Sequence, residues 1–144
     1  AGVDKNRVPL PFSSQGPVFW EDVEFFSDYP SDKPLGKPDL TAFPTGYPMW
    51  SAKPSSSSRR GWKEVSEAEG ASLVIGPAGN SFSGPHAAGV AALIFSANPE
   101  INSWEVSEIL QKTAQDLGPK GWDNIYGAGL IDALAAVRAA KKKD

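Results

Sequence analysis

The chain has 144 residues, no cysteine, one histidine and a formal net charge of −3. This length fits a single domain, and the missing cysteine excludes disulfides, cysteine-ligated zinc and a cysteine nucleophile. One histidine excludes a multi-histidine metal site. The mild negative charge argues against broad nucleic-acid binding, and without an apolar run of about 18–20 residues we expect no membrane contact.

The first half of the chain is rich in proline, which removes an amide donor and disfavours helix in the preceding residue. It therefore predicts short extended pieces joined by turns, with strands at Ala1–Val3, Pro38–Ala42 and Ser72–Ile75. The serine-rich run at 55–61 predicts a solvated loop. The N-terminus lacks the layout of a signal peptide, so we expect any such segment to lie outside this sequence.

Helices are predicted in the second half of the chain, over residues 86–97, from Asn102 or Ser103 to Leu117, and over residues 133–140. The first is apolar around almost its whole circumference, which predicts a place in the middle of a domain. The second is amphipathic and stops at Gly118. Asp132 is the predicted N-cap of the third.

The most informative stretch is Gly79–Gly89, a glycine-flanked serine segment before the apolar helix. A serine at a helix N-terminus lies beside free backbone amides and the positive end of the helix dipole, which favour negative charge on a substrate carbonyl oxygen. Gly79 allows a tight approach, and Pro85 fits a first helical turn. From spacing alone, Ser81 or Ser83 is equally well interpreted as a simple N-cap.

The segment Gly79–Gly89 resembles the serine motif of subtilisin-like serine proteases, Gly-Thr-Ser-Met-Ala-x-Pro-His-x-Ala-Gly. Ser81 falls on the nucleophile position of that motif. Three further segments resemble family motifs in the family's order: Pro11–Pro17 (Phe-Ser-Ser-x-Gly-Pro), Lys37–Ala42 (Lys-Pro-Asp-hydrophobic-x-Ala) and Tyr126–Ala133 (Gly-x-Gly-hydrophobic-hydrophobic-Asp). The resemblance covers nearly all of the chain.

The resemblance implies an α/β fold, the C-terminal part of a three-layer parallel-sheet domain that is incomplete alone. Residues 1–144 would form this portion, with strands and loops over 1–78 and the serine loop and helices over 79–144. In the family the triad runs Asp, His, Ser along the chain. We therefore expect Ser81 to be the acyl-enzyme nucleophile of an endopeptidase whose Asp, His and oxyanion Asn come from an N-terminal segment. The chain alone is expected to be inactive.

His86 is not expected to be the catalytic base. It lies five residues from Ser81, which on a helix is about 140° around and ~7.5 Å along the axis. A base must reach the hydroxyl within about 2.6–3.2 Å. The resemblance makes His86 a structural residue of the motif, Asp39 fits a turn or backbone hydrogen bond, and Asp132 a cap.

The sequence departs from the family pattern beside Ser81 and after Ala42. Asn80 replaces Thr, Phe82 replaces Met, and Phe43-Pro44 stands where the family has Pro-Gly. The loss of the methionine removes a thioether that oxidises to the sulfoxide. We expect an assembled enzyme to tolerate peroxide.

The expected partners are an N-terminal fragment of the same protease domain and a peptide or protein substrate. The chemistry needs no cofactor, and the metal ligands are unknown. A structural calcium site in the full domain stays open; within the acidic, aromatic run at 19–28 it is the less favoured alternative to a surface loop. The resemblance implies secretion or an extracytoplasmic location. A non-catalytic pseudoprotease that binds peptides, and a split-protease subunit, are the alternative functions.

Overall fold

The computed structural model describes residues 1–19, 32–52, 63–68 and 71–141. Its strands are β1 (Met49–Ala52), β2 (Lys63–Ala68) and β3 (Ala71–Ile75), and its helices are α1 (Asn80–Ala97), α2 (Ser103–Thr113) and α3 (Ala133–Ala140). None of the helices in these described ranges is long and apolar enough to cross a membrane.

The strands form an antiparallel sheet in the order β1-β3-β2. Met49 pairs with Val74 on one side of β3, and Lys63 pairs with Ile75 on the other, with a register shift between Glu64 and Ser66. The sequence predicted β3 to within one residue but missed β1 and β2. The polar sequence of β2 has low strand propensity, so pairing with β3 decides its conformation.

Parallel pairings lie outside this sheet. Gly2 bridges Ala42, and Thr41 bridges Leu130, both in parallel. The amide of Thr41 donates to the Gly129 carbonyl over 2.9 Å. The predicted strands at Ala1–Val3 and Pro38–Ala42 are therefore isolated bridges in the described chain rather than continuous strands.

The three helices share one apolar core. Its buried residues come from all three helices: Val90, Ile94, Val106, Leu110, Ala136 and Ala140. Asn102, not Ser103, caps α2, and it forms a capping box with Glu105. Asp132 accepts from the amide of Ala135 over 2.8 Å and caps α3, which confirms that prediction.

The helix bounds differ from prediction in two places. α2 ends at Thr113 rather than Leu117, because the backbone of Gln115 pairs with Leu130 through bonds of 2.7 and 2.9 Å and leaves the helical path. α1 begins at Asn80, six residues earlier than predicted. Pro85 therefore lies inside α1 and not in its first turn, so the Ser81 carbonyl has no helical donor from residue 85.

Candidate active site

Ser81 is the second residue of α1, and it is exposed. Gly79 precedes the helix with φ at +149°, a conformation that glycine adopts readily, and no side chain caps the helix. Neither Ser81 nor Ser83 is an N-cap, so the simple capping interpretation is wrong. The amide of Ser81 belongs to the first turn, where amides lack a carbonyl four residues earlier in the helix, although that of Phe82 donates to the Gly79 carbonyl over 2.9 Å, and the helix dipole makes this end positive.

The Ser13-Ser14 turn supports the start of α1. The buried Ser13 hydroxyl accepts from the amide of Gly2 over 2.9 Å. The Ser14 hydroxyl accepts from the Asn80 side-chain amide over 3.0 Å. The residue beside Ser81 is thus tied to a segment 66 positions earlier.

The Lys37–Ala42 and Tyr126–Ala133 segments hold each other. Thr41 is fully buried, and its hydroxyl donates to the Tyr126 carbonyl over 2.8 Å. Gly129 has φ at +116°, and a Cβ there would lie 2.2 Å from the Gln115 carbonyl oxygen, so glycine is required. Through Ala42, which bridges Gly2, this pair joins the Ser13-Ser14 turn and the start of α1.

His86 contacts Tyr47 rather than Ser81. Its ring centroid lies 4.5 Å from that of Tyr47, at an interplanar angle of 34°. The Tyr47 hydroxyl donates to the Phe82 carbonyl over 3.2 Å, and burial raises the pKa of Tyr47. In the described residues no hydrogen bond joins His86 to Ser81.

A wide cavity of about 730 Å³ opens beside His86, lined by Asp4, Lys5, Phe43, Thr45, Gly46, Tyr47 and His86. Its walls combine aromatic rings with one acidic and one basic side chain. Ser81 does not line it. The cavity is therefore not the place where a substrate would meet the predicted nucleophile.

Acidic groups do not complete a triad within the described ranges. Asp39 lies at a bend and its carbonyl accepts from the amide of Ala128 over 3.0 Å, in agreement with the predicted turn or backbone role, while its carboxylate pairs with Lys37 at 2.6 Å. Lys37 lies only two residues before Asp39, and both side chains are exposed, so their charged ends can reach each other. No group of three His, Cys, Asp or Glu side chains suited to a metal occurs in the ranges that the structure describes.

Two sequence predictions lie largely outside the described residues. The acidic, aromatic run begins at Phe19, but residues 20–28 are not described, so its proposed loop and calcium site stay predictions. The serine-rich run at 55–61 is likewise not described.

Comparison with known proteins decides the family. A model of the subtilase family, Peptidase_S8, matches residues 1–129. The chain belongs to the subtilase family. Its members are serine proteases, and the α/β fold class expected from the sequence is confirmed.

Individual subtilases match this chain as a small part of their length. Bacillopeptidase F of Bacillus subtilis is 30% identical over 140 residues, 94% of this chain and 8% of the relative. The extracellular serine protease of Serratia marcescens is 35% identical over 63 residues, covering 44% and 6%. The solved serine protease MycP1, a component of a type VII (ESX-1) secretion system, superposes with a TM-score of 0.51 at 25% identity, covering 76% of this chain and 28% of that one.

Sequence reasoning missed two side chains near Ser81. Tyr47 holds the Phe82 carbonyl from the loop before β1, and its phenol had no local pattern to mark it. Ser14 belongs to the Pro11–Pro17 motif, but its partner Asn80 lies 66 positions away in the sequence. The replacement of the family's Thr by Asn80, next to the predicted nucleophile, was the sequence feature that could have indicated this contact.

Proposed function

We propose that this chain is the serine-bearing C-terminal part of a subtilase endopeptidase domain, with Ser81 as the acyl-enzyme nucleophile. The observation that carries the proposal is the meeting of all four motif segments at the first turns of α1, where Ser81 is exposed at the positive end of the helix. A developing oxyanion is favoured there by free amides and the dipole.

The proposed reaction proceeds through an ester. The Ser81 oxygen attacks the carbonyl carbon of the scissile peptide bond while a histidine takes the hydroxyl proton. The amide of Ser81 and an asparagine hold the oxyanion. The carbon–nitrogen bond then breaks, the histidine returns the proton to the leaving amine, and water hydrolyses the ester to regenerate the serine.

The histidine, its aspartate and the asparagine come from an N-terminal segment of the same domain. The side of α1 turned away from α2 and α3 supports this, since Ala88, Ala92 and Phe95 are exposed there, and Leu93 at the edge of this side is exposed to 53%. An apolar helix side of this kind belongs against another layer. Without that segment Ser81 has no base, and the chain hydrolyses peptides poorly or not at all.

The substrate class is peptide or protein, and the chemistry needs no cofactor. A structural calcium ion in the full domain stays open. We place the protein outside the cytoplasm, supported by the Serratia marcescens relative, which is an extracellular serine protease.

Labelling with a fluorophosphonate, followed by peptide mapping, tests the proposal. We expect modification of Ser81 only when the natural N-terminal segment is present, on the same chain or added as a separate one. Ser81→Ala abolishes labelling, while Ser107→Ala on the exposed surface of α2 leaves it unchanged. Labelling of the isolated chain contradicts the need for a partner. If no reconstituted sample is labelled but peptide binding is retained, the chain is the non-catalytic pseudoprotease and the proposal fails.

Phe82 gives a second test of the same site. The assembled enzyme should keep its activity in peroxide, because no thioether adjoins Ser81. Phe82→Met should introduce a progressive loss that peptide mapping traces to a sulfoxide at residue 82. Rapid inactivation of the unaltered enzyme through this loop would contradict the prediction.

A further inference from the structure

The loop that precedes β1 holds the backbone on both sides of Ser81. The amide of Gly79, two residues before the serine, donates to the Pro44 carbonyl over 3.2 Å. The Tyr47 hydroxyl donates over 3.2 Å to the carbonyl of Phe82, the residue directly after the serine. The Phe82 amide donates to the Gly79 carbonyl over 2.9 Å and closes the turn. Both ends of the turn that contains Ser81 are therefore tied to one loop.

The first turns of α1 are only weakly held by the helix itself. Pro85 has no amide proton, so the Ser81 carbonyl lacks the donor that an α-helix places four residues later. Gly84 lowers the helix propensity of the same turn. Among the described residues no side chain caps the helix at Gly79. Contacts from outside the helix therefore contribute much of what keeps Ser81 in place.

Tyr47 is the side chain that supplies such a contact from two atoms groups at once. Its hydroxyl bonds to Phe82, and its ring lies 4.5 Å from the ring of His86. Residues four apart are neighbours on a helix surface, so both contacts bear on the same side of α1, one turn apart. At the other end of the loop Pro44 is fully buried, which anchors the loop in the protein.

We propose that Tyr47 is a positioning residue for the reaction at Ser81, acting through the Phe82 carbonyl on the serine hydroxyl and the Ser81 amide. The proposal rests on the proposed function, in which the Ser81 oxygen attacks a peptide carbonyl. Attack requires the reacting atoms to lie about 3–3.5 Å apart, and a misplacement of about 1 Å costs up to about 100-fold in rate. Tyr47 itself touches no reacting atom and acts only through the backbone.

The test compares Tyr47→Phe with Asn102→Ala in the protein assembled with its natural N-terminal segment. Tyr47→Phe removes the hydroxyl and keeps a ring beside His86. Asn102→Ala removes the acceptor of two amides at the start of α2, beyond the opposite end of α1 from Ser81. Each variant loses hydrogen bonding of similar worth to folding, so the pair separates positioning from stability. The measured constants are kcat and KM for a peptide p-nitroanilide that the parent cleaves.

We expect Tyr47→Phe to lower kcat by about 3–10-fold with KM within about twofold of the parent, because geometry at the serine affects the transition state more than substrate binding. Asn102→Ala should keep both constants of the parent. An unchanged kcat in Tyr47→Phe overturns the proposal. A fall of equal size in the two variants also overturns it, since it would report a general loss of stability.

Hydrogen exchange supplies a readout that needs no activity. The amides of Gly79 and Phe82 should exchange several-fold faster in Tyr47→Phe than in the parent and at the parent's rate in Asn102→Ala. Unchanged exchange at both amides overturns the proposal. If fluorophosphonate fails to label the parent, the proposed function fails and the catalytic part of this proposal fails with it. Exchange then still shows whether Tyr47 holds the turn.

Discussion

The two sides of α1 differ in how far this chain completes them. On the closed side, Val90 and Ile94 are buried against α2 and α3, with Ile94 fully inaccessible. On the open side, Ala88, Ala92 and Phe95 are exposed within the same helix, and Leu93 is exposed at the edge of that side. Both sides are apolar in sequence, so composition alone does not distinguish them.

The difference indicates which part of the domain this chain contains. Its helices already form a core, whereas the side of α1 opposite that core has no covering layer in the described residues. Ser81 lies at the start of this same helix. The packing that positions Ser81 is thus present in this chain. We propose that the N-terminal segment contributes the residues that activate it.

Truncating one side chain on each side of α1 should give the largest difference in the free energy of unfolding between the closed and the open side. Ile94→Ala should lower the free energy of unfolding of the chain by about 2–5 kcal/mol, because it opens a cavity in the core. Leu93→Ala should change it by about 0.5 kcal/mol or less, because Leu93 is already solvated. Urea unfolding followed by circular dichroism measures both, and equal losses would show that the open side is covered in the isolated chain.

The capping box of α2 tests the closed side with a smaller expected loss in the free energy of unfolding. Asn102→Ala should cost about 1 kcal/mol, because it leaves the amides of Trp104 and Glu105 without their acceptor. Trp104→Ala, at a side chain that is 84% exposed, is the matched control and should be nearly neutral. A neutral Asn102→Ala in the same urea titration would mean that α2 does not depend on its cap.

Tyr47 tests the loop that holds the start of α1. Its raised folded pKa means that its contribution is complete below its ordinary pKa of 10.0 and is lost as pH rises through the folded value. Tyr47→Phe should cost about 0.5–1.5 kcal/mol at pH 7 through the lost bond to Phe82. It should also flatten the alkaline fall in stability. An unchanged slope above pH 10 would exclude Tyr47 as its source.

Local signals predicted some elements well and others poorly. Asp132 and Asn102 lie at the caps that their side chains favour, because capping is a local interaction. The start of α1 was missed by six residues, because glycine and serine before Pro85 are weak helix formers and packing extends the helix. β1 was missed because it pairs with β3 across an intervening strand, and β2 was missed because its polar sequence has low strand propensity, although Ala68 pairs with the nearby Ala71.

Sequence motifs predicted the residues of the candidate site but not the long-range hydrogen bonds that hold them. Ser81 and the four segments were identified from residue patterns, and their contacts agree with that grouping. The bonds of Asn80 with Ser14 and of Tyr47 with Phe82 join residues 66 and 35 positions apart. No local pattern encodes such pairs, and the additional ion pair of Asp39 with Lys37 depends on side-chain conformation.

The most direct test of the central claim is the rate of fluorophosphonate labelling at Ser81 in Leu93→Asp, with the natural N-terminal segment added in increasing amounts. A charge at this position cannot be buried unpaired without large cost, so the open side should no longer accept that segment. We predict that labelling rises to saturation in the parent and in Trp104→Ala but stays at the background of Ser81→Ala in Leu93→Asp. Equal labelling of Leu93→Asp and the parent would contradict the account.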